Sequence, residues 1–208
     1  LDALARGTLP PHTLTVIVPR HPQRFDDVAG LLAARNLRFV RRSEAPVVPP
    51  DVAFVLGDSM GELPAYYAAA DVAFVGGSLL PLGGQNLIEA IAAGRPTLVG
   101  PHMFNFADAT ANAVAAGAAR QVADADALVA AVSTLLEDPE ARAAMTAAAA
   151  AFHAAHRGAT DRLWAWLCDR PDAAKLHALL QLERWSGRPA ADDPGGRPMN
   201  AEELRQLA

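Results

Sequence analysis

The sequence predicts an α/β fold built on a doubly wound parallel sheet and followed by C-terminal helices. Six short apolar runs alternate with helical segments up to residue 122, as strands and helices do in α/β folds. The runs are apolar at consecutive positions, which is typical of parallel strands that helices cover on both faces. Beyond residue 122 the pattern is mainly helical.

The predicted elements follow each other in regular order. Strands are predicted at residues 13–18, 37–40, 52–56, 71–75, 96–99 and 119–122. Helices are predicted at residues 22–35, 63–70, 86–93, 106–116, 125–136, 139–156 and 160–167, and Gly94 and Gly117 stand where helices usually end. We place one domain at residues 1–167. Residues 168–208 form a predicted tail, with a helix at 173–185 and a loop or disordered linker at 186–198.

Length and composition exclude several classes of protein. The 208 residues are 51% hydrophobic and carry a net charge of −5, which is too apolar for a disordered chain. The longest strongly apolar runs, at 52–56 and 71–75, are far shorter than the roughly 20 residues that a bilayer span needs. We therefore expect no membrane span here. The chain begins with Leu1, which suggests a fragment of a longer protein.

Charge and cysteine content narrow the ligand classes further. A sequence pI near 5.6 argues against nucleic-acid binding. The basic cluster is expected to be a solvated helix end and strand edge, formed by Arg35, Arg38, Arg41 and Arg42. The single cysteine, Cys168, excludes an internal disulfide and a Cys-based zinc site. His153 and His156 have no carboxylates near them in sequence, so we predict neither a metal site nor a cofactor.

Candidate ligand contacts follow the strands, because open parallel sheets bind ligands beyond their carboxyl ends. After the first strand, Arg20 lies between Pro19 and Pro22, and the two prolines restrict the backbone of this turn. The guanidinium of Arg20 then either binds an anion or simply faces solvent. After the third strand, residues 57–62 contain two glycines. This loop either caps the next helix through Asp58 or Ser59, or presents backbone groups to the edge of a base.

Two glycine pairs precede the helix predicted at residues 86–93. They lie in the segments 76–78 and 83–89, and the free N–H groups of a helix start favour phosphate binding. Asn86 is expected to cap this helix, with Glu89 either completing a capping box or accepting hydrogen bonds from ribose hydroxyls. The glycine spacing of dinucleotide-binding dehydrogenases and the lysine of phosphate-binding loops are both absent.

His102 lies in residues 100–106, directly after the fifth predicted strand. Its imidazole has the chemistry for proton transfer or for a phosphate contact. The alternative is a loop histidine whose hydrogen bonds are made within the fold.

Taken together and in their order along the chain, the loop segments resemble the C-terminal domain of 3-deoxy-D-manno-octulosonic acid (Kdo) transferases. The likeness runs over residues 13–167 and is carried by the segments at 19–22, 57–62, 67–78, 83–89 and 100–108. The resemblance implies a glycosyltransferase of the two-domain GT-B fold, with this chain as its Rossmann-like, donor-nucleotide-binding half. It also implies transfer of Kdo from CMP-Kdo to a lipid A precursor in lipopolysaccharide biosynthesis, with no cofactor.

The resemblance also assigns residues to the CMP moiety. The implied contacts are Pro19, Arg20, Met60, Gly61, Glu62, Asn86, Leu87, Ile88 and Glu89, with Ser78, Gly84, Gln85 and His102 as further candidates. Gln85 stands where many family members have His, so we expect no proton transfer at that position. The catalytic base belongs to the N-terminal domain of the family, and none is assigned here.

The same resemblance implies an inverting displacement in which an acceptor hydroxyl attacks the anomeric carbon while CMP leaves, without a metal. Acceptor binding and contact with the cytoplasmic face of the bacterial inner membrane belong to the N-terminal domain. We expect the present chain to be a soluble domain that is inactive by itself. Two alternatives stay open: another GT-B transferase or epimerase that uses a UDP-sugar, and a non-catalytic fragment or interaction module.

Overall fold

The computed structural model describes residues 1–5, 9–45 and 47–168. The six strands of this part of the chain are β1 (Thr15–Ile17), β2 (Phe39–Arg41), β3 (Phe54–Leu56), β4 (Ala73–Val75), β5 (Thr97–Val99) and β6 (Ala119–Gln121). Its helices are α1 (Asp2–Ala5), α2 (Phe25–Ala33), α3 (Leu63–Ala69), α4 (Ile88–Ala92), α5 (Ala107–Ala115), α6 (Ala125–Glu137), α7 (Pro139–His156) and α8 (Ala159–Cys168). The helix and the loop predicted at 173–185 and 186–198 lie outside the described residues.

The strands form two parallel sheets of three strands each. One sheet has the order β1-β3-β2 and the other the order β4-β5-β6. Both β1 and β2 pair with β3, so helix α2 connects two strands that are not neighbours. The predicted α/β class with parallel strands is confirmed, and hydrogen bonding divides the predicted sheet into these two parts.

Strand register aligns the carboxyl ends of the strands. In the first sheet the last strand residues, Ile17, Arg41 and Leu56, lie in one row. In the second sheet Val75 pairs with Val99, which pairs with Gln121. Loops that follow these residues therefore emerge at the same edge of each sheet.

Burial distinguishes the central strands from those beside them. Strands β3 and β5 are buried along their whole length. Val16 in β1 is 40% exposed, and β6 has exposed residues at two of its three positions. The continuously apolar pattern thus predicts the middle strands well, whereas a strand beside only one neighbour tolerates exposed positions.

Helices cover both faces of the second sheet. Val99 packs in one cluster with Ile91 of α4 and with Leu87, which directly precedes α4, and Phe152 of α7 belongs to the same cluster. Its neighbour Leu98 points to the opposite face and packs with Leu135 of α6. Adjacent residues of a strand point to opposite faces, so this separation is the doubly wound arrangement that the sequence predicts.

Two aspartates begin the long C-terminal helices. The Asp124 carboxylate accepts a hydrogen bond from the Ala127 N–H at 2.8 Å, at the start of α6. The Asp138 carboxylate accepts one from the Ala141 N–H at 2.9 Å, at the start of α7. Such contacts satisfy N–H groups that have no partner within the helix.

The short helix α1 was not expected from the sequence, because four residues are too few for a periodic pattern. Its Asp2 pairs with Arg35, which follows α2, at 2.6 Å. This ion pair joins the start of the chain to the first helix of the sheet region.

Contacts divide the chain into two units, Leu1–Ala155 and His156–Ala208. Within the second unit, the structure describes α8 and the residues that lead into it, where the Arg162 side chain donates to the Arg157 carbonyl at 2.7 Å. The domain boundary predicted at residue 167 remains a prediction. In the described part of the chain, none of the helices combines the length and apolarity needed to cross a bilayer.

Candidate nucleotide site

The first sheet brings two of the predicted loops to one edge. The N–H of Gly57 donates to the carbonyl of Ile17 at 2.8 Å, which continues the pairing of β3 with β1 beyond the last strand residue. Gly57 also lies against Val18, and a Cβ added to it would be 3.0 Å from the Val18 side chain. The loop of Pro19 and Arg20 therefore starts beside the loop at residues 57–62.

The second sheet is tied together at its carboxyl edge by Ser78. Its hydroxyl donates to the Val75 carbonyl at 2.6 Å and accepts from the Gly100 N–H at 2.8 Å. The Ser78 carbonyl accepts from the N–H of His102 at 2.9 Å. Ser78 is fully buried, and these bonds give this candidate residue a structural role between the ends of β4 and β5.

Backbone hydrogen bonds attach the second glycine pair to the same edge. The Gly84 N–H donates to the Gly77 carbonyl at 3.0 Å, and the Asn105 N–H donates to the Gly83 carbonyl at 3.1 Å. Gly84 has a φ of +74°, and a Cβ at this residue would overlap the Met103 side chain. Glycine is therefore required here both by the backbone conformation and by the close approach of Met103.

Arg20 and Gln85 join the two groups of loops. Arg20 is exposed, and its Nη1 donates a hydrogen bond to Oε1 of Gln85, which directly follows the glycine pair. Two segments that the sequence analysis selected independently, 65 residues apart, thus meet through their side chains. A neutral partner leaves the positive charge of Arg20 uncompensated by that contact.

The start of α4 differs from the prediction in its details. The helix begins at Ile88, not at residue 86, and contains five residues. Asn86 nevertheless accepts the Ile88 N–H at 3.0 Å, two residues ahead, and its amide donates to Glu89 Oε1 at 3.0 Å. Glu89 binds the Asn86 side chain instead of a backbone N–H, so the expected capping box is replaced by a pair of side chains.

The helix α4 is anchored by its first apolar residues. Leu87 is fully buried, and the partly buried Ile88 packs against the same core cluster. Any contact of these two candidates with a ligand would use their backbone groups. Because α4 is only five residues long, its macrodipole is small, and Arg20 is the stronger source of positive charge at this loop.

The loop after β3 is held by Glu62. The Ser59 hydroxyl donates to Glu62 Oε2, and the Tyr66 hydroxyl donates to the same oxygen at 3.4 Å. Arg42 pairs with the other oxygen, Oε1, at 3.1 Å. The hydrogen bond from Ser59 lowers the pKa of Glu62 below its ordinary value, against a smaller opposing effect of burial, and the charge of Arg42 lowers it further.

Asp58 connects the same loop to the residues after β2. Its carboxylate accepts the Ser43 N–H at 2.9 Å and the Ser43 hydroxyl at 2.7 Å, and Arg41 lies 3.6 Å away. Burial raises the pKa of Asp58, but the hydrogen bonds from Ser43 and the charge of Arg41 together lower it below its ordinary value. Helix α3 has no side-chain cap, so the expected capping by Asp58 or Ser59 is not observed.

His102 and Tyr67 flank the site. His102 is half-buried, and its backbone lies beside Gly84, where an added Cβ would be 3.4 Å from the His102 carbonyl oxygen. Burial raises the pKa of the Tyr67 phenol, and the negative charge of Glu89 raises it further. Tyr67 and Glu89 belong to helices α3 and α4, which contact each other.

The basic cluster has more partners than the sequence suggested. Arg41 pairs with Asp26 at 2.6 Å, and Arg42 pairs with Glu62. Both arginines directly follow the second predicted strand, and this position at a strand end was the signal that could have placed them near the site. Over the described ranges, no three His, Cys, Asp or Glu side chains form a group that could hold a metal ion.

Comparison with known proteins identifies the family. Residues 19–152 match the family described as Glycosyl transferases group 1. The chain is 54% identical over 153 residues to 3-deoxy-D-manno-octulosonic acid transferase of Bordetella pertussis, which covers 73% of this chain and 36% of that protein. The transferase of the same name from Haemophilus influenzae is 41% identical over 154 residues, covering 74% and 36%.

A solved structure gives the same result for the domain. The crystal structure described as the C-terminal CMP-Kdo binding domain of WaaA from Acinetobacter baumannii matches with 39% identity and a TM-score of 0.64, covering 65% of this chain and 71% of that one. This confirms the expected resemblance and the GT-B fold. The chain spans 36% of the length of the two curated relatives. It belongs to the group 1 glycosyltransferases, and within them to the Kdo transferase family, whose C-terminal domain it matches.

Proposed function

We propose that this chain binds the donor CMP-Kdo, and that the protein to which it belongs transfers Kdo to a lipid A precursor. The observation that carries the proposal is the meeting of Arg20 with Gln85. It brings two implied CMP-binding segments together at one edge of the fold. The relatives that are named Kdo transferases and the domain described as CMP-Kdo binding support the same ligand.

The residues at this edge suit the parts of a nucleoside monophosphate. Arg20 is exposed and positively charged, and we assign it to the phosphate together with the backbone at Pro19. Met60 and Gly61 are exposed residues, and we assign their backbone groups to the cytosine edge. Glu89 is assigned to the ribose hydroxyls, with Asn86 holding its carboxylate at 3.0 Å.

The proposed reaction is a single displacement. The oxygen of the acceptor hydroxyl forms a bond to the anomeric carbon of Kdo, and the bond from that carbon to the phosphate oxygen breaks. The electron pair leaves with CMP, whose phosphate Arg20 stabilises. The hydroxyl proton passes to a base that the family resemblance assigns to the N-terminal domain.

We assign acceptor binding and contact with the cytoplasmic face of the inner membrane to the part of the protein outside this chain. The isolated chain is then expected to bind the donor without transferring Kdo. Incubation with CMP-Kdo and a lipid A precursor, followed by measurement of CMP release, checks this. Transfer by the isolated chain would contradict the assignment.

Calorimetric titration of the 208-residue chain with CMP, UMP and UDP tests the donor proposal. We expect binding of CMP in preference to UMP and UDP. Arg20→Ala should weaken CMP binding at least about tenfold, because a charged hydrogen bond to the phosphate is lost.

Arg38→Ala is the matched control, since it removes one arginine charge next to the amino end of β2, and Arg38 pairs with Asp51 there. It should leave CMP binding unchanged. Preference for UDP would instead indicate a transferase or epimerase that uses a UDP-sugar, and absence of binding to any nucleotide would overturn the proposal.

A further inference from the structure

We propose that Arg42 is a positioning residue for nucleotide recognition: through Glu62 it fixes the Met60–Gly61 turn that contacts the base. The inference rests on the proposed function, because it assigns a role within the same donor site. It concerns a residue that the sequence analysis placed in a solvated basic cluster. Arg42 itself contacts no ligand in this proposal.

Arg42 is well placed to act on the loop after β3. Its backbone N–H donates to the carbonyl of Leu56 at 2.9 Å, which continues the pairing of β2 with β3. Its backbone is therefore fixed to the last residue of β3, just before the loop begins. From there the guanidinium reaches Glu62 Oε1 at 3.1 Å, at the other end of the loop.

The other oxygen of Glu62, Oε2, accepts hydrogen bonds from the turn itself and from α3. Ser59 donates to Glu62 Oε2 across the two residues between them, and Tyr66 of α3 donates to the same oxygen at 3.4 Å. One carboxylate thus connects the end of β2, the first residue of the turn and the first part of α3. With both oxygens occupied in this way, the carboxylate serves as an anchor rather than as a direct ligand contact.

The residues between these anchors remain accessible. Met60 is 64% exposed, and Gly61 is exposed with a φ of +82°, a conformation that glycine adopts readily. Backbone groups at such a turn bind a base edge more tightly when their directions are fixed before binding. Without the anchor, binding would have to order the turn, and affinity would fall accordingly.

The test compares three variants of the 208-residue chain by calorimetric titration with CMP and with UMP. Arg42→Met removes the charge but keeps much of the side-chain length, Arg42→Lys restores the charge, and Arg38→Met removes the charge of an arginine paired elsewhere with Asp51. We expect Arg42→Met to lower CMP affinity about tenfold and to reduce the preference for CMP over UMP. Arg42→Lys should recover part of both effects, and Arg38→Met should change neither.

Two further variants test whether Arg42 acts through the carboxylate of Glu62. They are Glu62→Gln and the double variant that combines Glu62→Gln with Arg42→Met. If Arg42 acts through Glu62, the double variant should lose little more CMP affinity than either single variant, because both remove one contact. Additive losses would overturn the inference. Glu62→Gln also provides the test if Arg42→Met fails to fold, since the amide keeps the shape of the carboxylate.

The outcomes separate this inference from the donor proposal. Failure of the unchanged chain to bind CMP would overturn the donor proposal and this inference with it. If the unchanged chain prefers CMP and Arg42→Met keeps both the affinity and the preference, only the role of Arg42 is wrong. An equal loss of CMP and UMP affinity in Arg42→Met, without recovery in Arg42→Lys, would indicate a merely structural role.

Discussion

Gln85 gives Arg20 a neutral hydrogen-bond partner. A carboxylate at this position would compensate the charge of Arg20 and repel a phosphate, whereas the amide carbonyl orients the guanidinium without neutralising it. A histidine at this position would add a group that titrates near neutral pH. The glutamine therefore orients Arg20 and leaves its positive charge available to an anion.

Substitution of Glu89 distinguishes a structural role at the start of α4 from a role in nucleotide binding. Its carboxylate is exposed and accepts a hydrogen bond from Asn86. We expect Glu89→Ala to weaken CMP binding roughly ten- to hundredfold, since hydrogen bonds between ribose hydroxyls and a charged group are lost. The free energy of unfolding of the Glu89→Ala variant should differ from that of the unchanged chain by no more than about 0.5 kcal/mol, as is usual for substitutions at exposed positions. Titration with CMP and urea denaturation measure the two effects.

A loss of stability without a loss of affinity would make Glu89 a structural residue of the α4 start. Asn86→Ala is the matched comparison, because it removes the partner and keeps the carboxylate. It should have a smaller effect on CMP binding than Glu89→Ala.

At the level of elements, the candidate site residues lie in loops that follow the strands and at the start of α4, whereas two aspartates outside this residue set cap the long helices. Asp124 lies between β6 and α6, Asp138 lies between α6 and α7, and each accepts a hydrogen bond from an N–H in the first turn of the helix that follows it. The short α4 instead depends on the burial of Leu87 and Ile91. Substitutions at the aspartate caps should therefore affect folding and leave ligand binding intact.

Asp124→Ala should lower the free energy of unfolding by about 1 kcal/mol, the usual effect of removing an aspartate cap. The N–H of Ala127 then loses its partner and the α6 start loses a favourable negative charge. Urea denaturation measures the change. Asp124→Asn, which still accepts the hydrogen bond, is the control and should recover most of the stability. An unchanged midpoint for Asp124→Ala would show that the cap contributes nothing measurable.

At the scale of the whole first unit, Leu1–Ala155, the free energy of unfolding depends on pH through carboxylates that bind arginines and serines. Asp58 and Glu62 both have pKa values below the ordinary range in the folded chain. The unfolded chain therefore takes up protons first as the pH falls. The stability that these groups provide is complete above about pH 4–4.5, the range of their unfolded pKa values, and is lost as the pH falls through the folded values.

Asp58→Asn tests this linkage, because the Asp58 side chain is only 4% exposed and accepts two hydrogen bonds from Ser43. The variant should be less stable than the unchanged chain at pH 7. The difference in the free energy of unfolding should shrink as the pH is lowered below about 4. Urea denaturation at a series of pH values measures it.

Asp51→Asn is a suitable control, since Asp51 lies in an exposed ion pair with Arg38. It should lower the free energy of unfolding at pH 7 by less than Asp58→Asn does, because exposed ion pairs contribute little to stability. A difference for Asp58→Asn that stayed constant from pH 7 to pH 3 would contradict the linkage.

Much of the site was predictable from local patterns. Arg20 follows an apolar strand and precedes a proline, and Gly84 belongs to a glycine pair before a helix. Both signals depend only on neighbouring residues, and both residues lie at the carboxyl edge in the structure. Arg42 escaped prediction because its partner, Glu62, is 20 positions away in the sequence.

By itself, the sequence determined the α/β class, the six strands and the loops of the candidate site, because periodicity and strand ends are local properties. Tertiary structure alone decided that β1 and β2 both pair with β3, that the strands form two sheets, and that Arg20 meets Gln85. It also placed Glu62, one of the candidate contacts, at the centre of a hydrogen-bonded network with Arg42 and Ser59. These contacts depend on which distant segments lie at the same sheet edge. Strand pairing determines that neighbourhood, and it is complete only when the whole chain has folded.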